Sequence, residues 1–338
     1  MNGTVLAGEG LSIGYTHRRG ITRVVFEPVD CGIRRGEMVN LIGPNGIGKS
    51  TLLRTLGGLL PPLGGVVRLG GRNIHEYNSI ERAARLSLVL TDRVRVGSMR
   101  VRSLVALGRY PHTSWSGNLR REDTEAIEAA LEMTGLSGLS GRYFSELSDG
   151  EKQKVMLARA IAQEPVVLIL DEPTAYLDLP RRIEIVSILK KLTRNNNIAV
   201  LLSTHDLDLA LKTADRLWIL SRDSFVTGAP EDLVLNGCLE KAFSGHGLTF
   251  DSREGQFVTH EPHGTDIFLS GDGLESIWTR RALERDGYTV HFGPGEPGVR
   301  IETSPAGEVS WVLEAFGNSY NYGSILSLVD GLRDIVQP

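Results

Sequence analysis

The segment that most limits the possible fold is a glycine-rich loop between an aliphatic strand and a helix. Residues 43–51 read GPNGIGKST and fit the pattern GxxxxGK[ST] at every position. A strand is predicted over Val39–Ile42, just before the loop. A helix is predicted over Lys49–Leu56, beginning at the end of the loop, and this strand–loop–helix context is the one that the pattern requires. Glycines let backbone N–H groups curl around a phosphate, and the helix N-terminus adds positive potential. The loop therefore predicts a nucleotide phosphate site in an α/β fold.

Each polar position of this loop has a predicted role at a nucleoside triphosphate. We expect Lys49 to reach the β- and γ-phosphates and the Ser50 hydroxyl to ligate Mg²⁺. The other predicted nucleotide ligands of the loop are Gly43, Asn45, Gly46, Gly48 and Thr51. The alternative is a plain glycine-rich turn that opens a helix.

A second buried strand ends in two carboxylates, since residues 166–172 read VVLILDE. Asp171 is expected to hold the water shell of the metal. Glu172 is placed to act as a general base on the attacking water, an effect typically worth about 10²–10⁴-fold. The alternative is a buried strand whose acids only cap a loop. Together the two motifs indicate a nucleoside triphosphatase, but kinases, GTPases and helicases share them.

The pattern along the chain predicts an α/β domain followed by a smaller one. Aliphatic strands alternate with amphipathic helices to about residue 230, which favours a mostly parallel sheet covered on both faces. Antiparallel strands are expected near the start, and a helical insertion at about 91–163. Residues 231–263 are predicted to form a helix and a linker, and 264–338 a small α+β domain of about 75 residues.

Composition narrows the class of protein further. A net charge of −4 and a pI near 6.1 give no electrostatic basis for binding nucleic acid. Cys31 and Cys238 are the only cysteines, which excludes a disulfide framework and suits a reducing compartment. The most apolar stretches are about five residues long, against the roughly 20 that span a bilayer. A partner would therefore have to hold this chain at a membrane.

Four further segments narrow the class: LSDGEKQ at residues 147–153, AYLD at 175–178, His205 and Tyr15. In order and spacing, and together with the two motifs above, they resemble the ATP-binding cassette (ABC) ATPases over roughly residues 4–230. Leu147–Gln153 reads LSDGEKQ and resembles the LSGGQ signature, and residues 175–178, AYLD, resemble the D-loop. His205 matches the switch histidine that holds the attacking water in line, although a lone histidine after a strand is more often structural. Tyr15 matches the aromatic residue that stacks on adenine. The resemblance implies a P-loop NTPase with a RecA-like core, an antiparallel β subdomain and a helical subdomain, with ATP and Mg²⁺ as ligands.

The resemblance also implies that two copies of the chain share each ATP. Ser148, Gly150 and Glu151 are then expected at the γ-phosphate bound to the opposite copy, with Asp178 of the D-loop beside them. Two such sites close only in a head-to-tail dimer with a two-fold axis. Ser148 and Glu151 also form the pattern of a capping box, which is compatible with this role. Asp149 stands where the signature has a glycine, and we expect it to face away from the phosphates.

One position departs from the family pattern at the predicted metal site. The Q-loop glutamine should fall near residues 88–93, but the chain has no glutamine from residue 65 to 152. Thr91 stands at that position with Asp92 beside it. The predicted metal ligands are therefore Ser50, Asp171 and Thr91. Since Thr91 is shorter than glutamine, a water would fill the gap, or Asp92 would reach the metal instead.

Residues 108–112, GRYPH, resemble a segment of the ATPases that drive import of iron–siderophore, haem and cobalamin chelates. In those proteins the segment faces the cytoplasmic part of the permease. The alternative is an ordinary helix end followed by a proline turn. The resemblance implies an importer subunit at the cytoplasmic face of the inner (cell) membrane. A permease would hold it there, and a substrate-binding protein would serve it indirectly.

Two other functions stay open from the sequence: a soluble ABC ATPase of the DNA-repair or ribosome-associated kind, and a module that uses ATP only as structure. Repair ATPases carry long coiled coils and ribosomal factors usually two cassettes, and neither feature occurs here. Glu172 and His205 favour hydrolysis. Residues 264–338 contain no clustered catalytic set, so a regulatory or dimer-contact role is the hypothesis. His260 and His263 would suit a metal pair, but a solvated loop is the expectation.

Overall fold

The chain folds into two compact units, each with its own hydrophobic core. The computed structural model describes residues 3–16, 22–90, 97–113, 117–175, 177–222, 224–243, 249–251, 255–258, 264–303 and 308–336. The first unit comprises Met1–Ser244 with Phe250–Gln256, and the second Gly245–Thr249 with Phe257–Pro338. The predictions for Thr91, Asp92, Tyr176 of the D-loop, and His260 to His263 lie outside the described residues.

The first unit is built from strands that alternate with helices. Its strands are β1 (Thr4–Thr16), β2 (Thr22–Arg34), β3 (Met38–Ile42), β4 (Gly64–Leu69), β5 (Arg72–Asn73), β6 (Leu86–Val89), β7 (Val167–Asp171), β8 (Ala199–Ser203), β9 (Arg216–Leu220) and β10 (Phe225–Gly228). Its helices are α1 (Lys49–Leu56), α2 (Ser79–Ala83), α3 (Val101–Ala106), α4 (Arg121–Met133), α5 (Asp149–Ala162), α6 (Leu179–Asn196), α7 (Leu207–Thr213), α8 (Pro230–Leu235) and α9 (Cys238–Phe243). Short 3₁₀ helices lie at Ile74–Glu76, Leu107–His112, Ser137–Leu139 and Phe144–Glu146.

Two sheets organise this unit. One is antiparallel, with the order β2-β1-β4-β5. The other has the order β10-β9-β3-β8-β7-β6 and is parallel except for β10. The loops that follow β3, β7 and β8 therefore leave the same edge of the parallel sheet, where ligands bind in open α/β folds. The predicted α/β class with an antiparallel sheet is confirmed, and α3, α4 and α5 lie within the range predicted for the helical insertion, whose bounds stay a prediction.

The aliphatic strands are buried on both faces of the parallel sheet. In β7, Val167 and Ile169 pack into the core that contains α1 and the antiparallel sheet. Leu168 and Leu170 pack on the opposite side, into the core that contains α4, α5 and α6. All four side chains are fully buried, and burying one such side chain contributes roughly 1.5–3 kcal/mol. The continuous apolar run in the sequence therefore reflects a strand with no solvent face.

The second unit is a mixed sheet with two helices. Two short strands, β11 (Thr249–Asp251) and β12 (Gln256–Val258), pair with each other before it. Its elements are β13 (Asp266–Ser270), α10 (Gly273–Arg285), β14 (Thr289–Phe292), β15 (Gly298–Thr303), β16 (Val309–Ala315), β17 (Asn318–Tyr322) and α11 (Ile325–Ile335). The strand order is β14-β13-β15-β16-β17, and α10 and α11 pack on the sheet and on each other. Among the described residues, no helix combines the length and the apolarity needed to cross a bilayer.

Candidate active site

The phosphate loop leaves β3 and enters α1 in a conformation that depends on glycine. A Cβ atom at Gly43 would lie 2.2 Å from the carbonyl oxygen of Leu220, so a side chain has no room there. Gly48 adopts φ 116° as the N-cap of α1 and supplies no side-chain cap. The first N–H groups of α1 therefore have no capping side chain, and such groups bind anions readily.

Lys49 is held inside this loop by backbone carbonyls. Its Nζ donates to the carbonyl oxygens of Gly43 at 2.7 Å and Pro44 at 3.1 Å, and the residue is only 6% exposed. Burial lowers the pKa of the Lys49 ammonium, while the carboxylates of Glu172 and Asp171 act in the opposite direction. The loop thus surrounds a partly desolvated cation, and a phosphate can replace its two carbonyl partners.

The two carboxylates at the end of β7 are fixed by a serine that the sequence analysis did not single out. Ser203, fully buried at the end of β8, donates its Oγ–H to Asp171 Oδ1 at 2.7 Å. The same Oγ accepts the backbone N–H of Glu172 at 2.9 Å. One hydroxyl therefore sets the spacing of the predicted metal ligand and the predicted general base. The sequence signal for this role of Ser203 was a small polar residue at the end of an aliphatic strand.

Glu172 has strained backbone geometry and contacts the predicted switch histidine. Its φ of 51° lies in the left-handed region, which costs a non-glycine residue roughly 1–3 kcal/mol and often marks functional sites. Glu172 Oε1 forms a short hydrogen bond with His205 Nε2. Since an ionised carboxylate only accepts, Nε2 carries the proton of this bond. The His205 side chain is 45% exposed and can turn toward a ligand.

Tyr15 also reaches the start of α1. Its hydroxyl lies 2.6 Å from Thr51 Oγ1, and the residue is 38% exposed. Two residues predicted to bind the nucleotide, one from β1 and one from the loop, are therefore in contact.

The signature segment caps α5 as predicted. Ser148 is the N-cap, and the Glu151 carboxylate accepts from both the N–H and the hydroxyl of Ser148 at 2.8 Å each. The backbone N–H of Ser148, followed by its hydroxyl, lowers the pKa of the Glu151 carboxyl. The Asp149 side chain is 83% exposed and lies 3.6 Å from Lys152 Nζ. Glu151 thus holds Ser148 in place with its carboxylate.

The helix that follows the D-loop lies against the signature. Asp178 is the N-cap of α6 and accepts from the backbone N–H of Arg181 at 3.2 Å. The Arg181 side chain crosses Gly150, where an added Cβ would lie 2.7 Å from Arg181 Cδ. The described contacts of Ser148 and Gly150 are therefore with Glu151 and Arg181 of the same copy.

The GRYPH segment forms the 3₁₀ helix Leu107–His112 and is anchored by its polar residues. Arg109, 4% exposed, donates to Asp123 at 2.9 Å, to the Ala162 carbonyl at 2.7 Å and to Glu164 at 2.6 Å. Tyr110 is 72% exposed. The segment is therefore a firmly held platform that presents an aromatic side chain to solvent.

Comparison with known proteins identifies the class that this fold and site define. The ABC transporter family matches residues 26–175, and the family described as the iron ABC transporter C-terminal domain matches residues 263–333. A solved ATP-binding subunit of an ABC transporter is 27% identical, covers 70% of this chain and 94% of its own, and superposes with a TM-score of 0.60.

Two relatives extend the similarity along the chain. An uncharacterised ABC transporter ATP-binding protein of Methanocaldococcus jannaschii is 39% identical over 292 residues, which is 86% of this chain and 99% of the relative. The ferric enterobactin transport ATP-binding protein of Escherichia coli is 37% identical over 247 residues, 73% of this chain and 89% of the relative. This chain belongs to the ABC transporter ATP-binding proteins. The prediction of an ATP-binding ABC ATPase that resembles those of metal-chelate importers is confirmed.

Proposed function

We propose that this chain powers an importer of an iron–siderophore or related metal chelate, such as haem or cobalamin. The observation that carries the proposal is the joint placement of Lys49, Asp171, Glu172 and His205 around the end of the parallel sheet. The relatives add the transport class, since they include ferric enterobactin, petrobactin and cobalamin import ATP-binding proteins.

ATP binding begins with an exchange of partners at Lys49. The Lys49 ammonium leaves the carbonyl oxygens of Gly43 and Pro44 and binds the β- and γ-phosphates instead. The negative charge of the phosphates favours the charged form of Lys49. Ser50 and Asp171, with Thr91, would hold a Mg²⁺ ion. That ion supplies positive charge to the β- and γ-phosphate oxygens when it is bound. The donor set fits, because a hydroxyl and a buried carboxylate are hard oxygen ligands.

Hydrolysis then depends on Glu172 and His205. The Glu172 carboxylate accepts a proton from the attacking water, whose oxygen bonds to the γ-phosphorus as the bond to the bridging β–γ oxygen breaks. His205 turns from Glu172 to hydrogen-bond the γ-phosphate. Ser203 keeps Glu172 in position throughout, since it holds the Glu172 backbone N–H.

The proposed working form is a head-to-tail dimer in which each ATP lies between the phosphate loop of one copy and the signature of the other. The capped N-terminus of α5, with Ser148 and Gly150, supplies the anion-binding end of a helix. The exposed Asp149 carboxylate lies beside Lys152, and we expect it to face away from the phosphates, while Arg181 places a cation next to Gly150. Hydrolysis removes the shared γ-phosphate and lets the dimer open.

The proposed location is the cytoplasmic face of the cell membrane, through a permease that contacts the 107–112 segment. Leu107 and Tyr110 are 52% and 72% exposed on this anchored platform. A substrate-binding protein would deliver the chelate to the permease, and nucleic acid has no role in the proposal.

Co-expression with the permease subunits of a chelate importer from the same organism tests this function. We expect a stable complex whose ATPase rate rises several-fold in lipid vesicles with the chelate-loaded binding protein, with ferric siderophore, haem and cobalamin tried in turn. Tyr110→Ala should weaken the complex, whereas Leu235→Ala, which changes an 84% exposed side chain on α8, should not. An ATPase that never joins the permease and ignores the chelates would instead favour a soluble ABC ATPase.

A further inference from the structure

The C-terminal end of α5 is joined to two other elements by a single glutamine. Gln163 is the C-cap of α5, the helix whose N-terminus carries the signature. Its side-chain Nε2 donates to the carbonyl oxygens of Ala83 and, at 2.9 Å, of Leu86, where β6 begins. Its Oε1 accepts the hydroxyl of buried Ser87 at 3.1 Å. The whole amide is therefore used to tie α5 to the edge strand of the parallel sheet.

The backbone of Gln163 holds the exposed 107–112 segment at the same point. Its carbonyl oxygen lies 2.9 Å from His112 Nε2. Arg109 binds the carbonyl of Ala162 on one side of Gln163 and the carboxylate of Glu164 on the other. Gly108 completes the contact, because a Cβ there would lie 2.2 Å from the Arg159 carbonyl oxygen. The segment and the end of α5 are consequently joined into one body.

This body extends along α5 to the signature. The helix has 14 residues, about 21 Å at 1.5 Å per residue, and its middle is packed into the hydrophobic core through Val155, Leu157 and Ala158. Because Gln163 and Ser148 lie at opposite ends of this one helix, a change of helix angle at Gln163 would displace Ser148 and Gly150 at the other end.

We propose that Gln163 is a positioning residue that sets the angle between the signature helix and the parallel sheet, and links that angle to the exposed 107–112 segment. The inference rests on the proposed ATP-sandwich dimer. In that dimer the angle decides whether Ser148 and Gly150 meet the ATP held by the phosphate loop of the other copy. Outside α5, the described hydrogen bonds of Gln163 are with Ala83, Leu86, Ser87 and His112, none of which belongs to the predicted nucleotide site. We therefore expect Gln163 to act on dimer closure and not on ATP binding by a single copy.

The test uses the full chain carrying Glu172→Gln, so that ATP is bound but not consumed. We would add Gln163→Met, which keeps the side-chain length and removes all three amide hydrogen bonds, or Ser87→Ala, which removes one. The matched control is Thr134→Val, which removes the buried hydroxyl that donates to the Ala130 and Leu131 carbonyls of α4 without touching Gln163. Light scattering would give the ATP concentration for half-dimerisation, and a fluorescent ATP analogue the affinity of the single copy.

We expect Gln163→Met to raise the ATP concentration for half-dimerisation by roughly tenfold and Ser87→Ala by about threefold, with analogue affinity unchanged. Thr134→Val should leave both quantities unchanged. Equal dimerisation of all variants, or an equal loss in Thr134→Val, would overturn the role of Gln163 while leaving the proposed function intact. A Glu172→Gln parent that binds the analogue but never dimerises would overturn the proposed function itself.

Discussion

Replacing Glu172 by glutamine is expected to lower the rate of ATP hydrolysis by about 10²–10⁴-fold while leaving ATP binding intact. Glutamine has the size of glutamate but cannot accept a proton from water at neutral pH. The backbone bond from the Glu172 N–H to Ser203 survives the change, so the local geometry is kept. Phosphate release measures the rate, and a fluorescent ATP analogue measures the binding.

A matched control for Glu172→Gln is Glu132→Gln, which removes an exposed carboxylate on α4. We expect its rate and its affinity to equal those of the parent chain. A Glu172→Gln chain that hydrolyses ATP at the parent rate would exclude Glu172 as the general base. Loss of analogue binding in the same chain would assign Glu172 a structural role in the loop.

Replacing Arg109 by methionine is expected to lower the free energy of unfolding by about 3–5 kcal/mol. Arg109 and Asp123 are 4% and 2% exposed and are paired at 2.9 Å. Methionine fills part of the space but leaves the Asp123 carboxylate buried without its cation and the Ala162 carbonyl without its donor. Chemical denaturation followed by circular dichroism measures the loss.

Arg121→Met is the control for this stability prediction. Arg121 also pairs with an acid, Glu125, at 2.7 Å, but its side chain is 92% exposed. Such a surface pair is worth about 0.3–0.5 kcal/mol. A similar small loss in both variants would show that the Arg109 cluster does not stabilise the helical region.

The Arg109 effect should depend on pH in a defined direction. The backbone N–H of Arg120 lowers the pKa of the Asp123 carboxyl, burial opposes this, and Arg109 lowers it further. A depressed carboxyl pKa contributes stability above the unfolded value of 3.8 and loses it as the pH falls through the folded value. Without Arg109, Asp123 protonates more readily. The difference between parent and Arg109→Met should therefore be largest near neutral pH and shrink in acid.

The sequence predicted the elements whose patterns are local. Strands β3, β7 and β8 are uninterrupted aliphatic runs because they are buried on both faces. Strand β17 reads NSYNY and was not predicted. The face of β17 that packs on the core follows from its pairing with β16. In that pairing Tyr320 lies opposite Leu313, and Tyr322 lies opposite Trp311.

The site residues that were missed act across long stretches of sequence. Ser203 meets Asp171 from a neighbouring strand 32 residues away, and Gln163 meets Ser87 from 76 residues away. Neither has a local motif, since each role arises from strand order and helix docking. Conversely, Lys49 and Ser148 belong to contiguous motifs, in each of which the predicted function depends only on a loop and the helix after it. The place of Thr91 in the metal site stays a prediction.

Mixing two inactive variants tests the composite site most directly. Lys49→Met removes the phosphate contact, and Ser148→Arg blocks the signature. In a mixed dimer, the intact phosphate loop of the Ser148→Arg copy meets the intact signature of the Lys49→Met copy. Neither variant alone should hydrolyse ATP. In an equal mixture about half of the dimers are mixed, and each of these has one intact site of two, so the mixture should recover about a quarter of the parent rate. An inactive mixture in which native mass spectrometry detects mixed dimers would contradict the account.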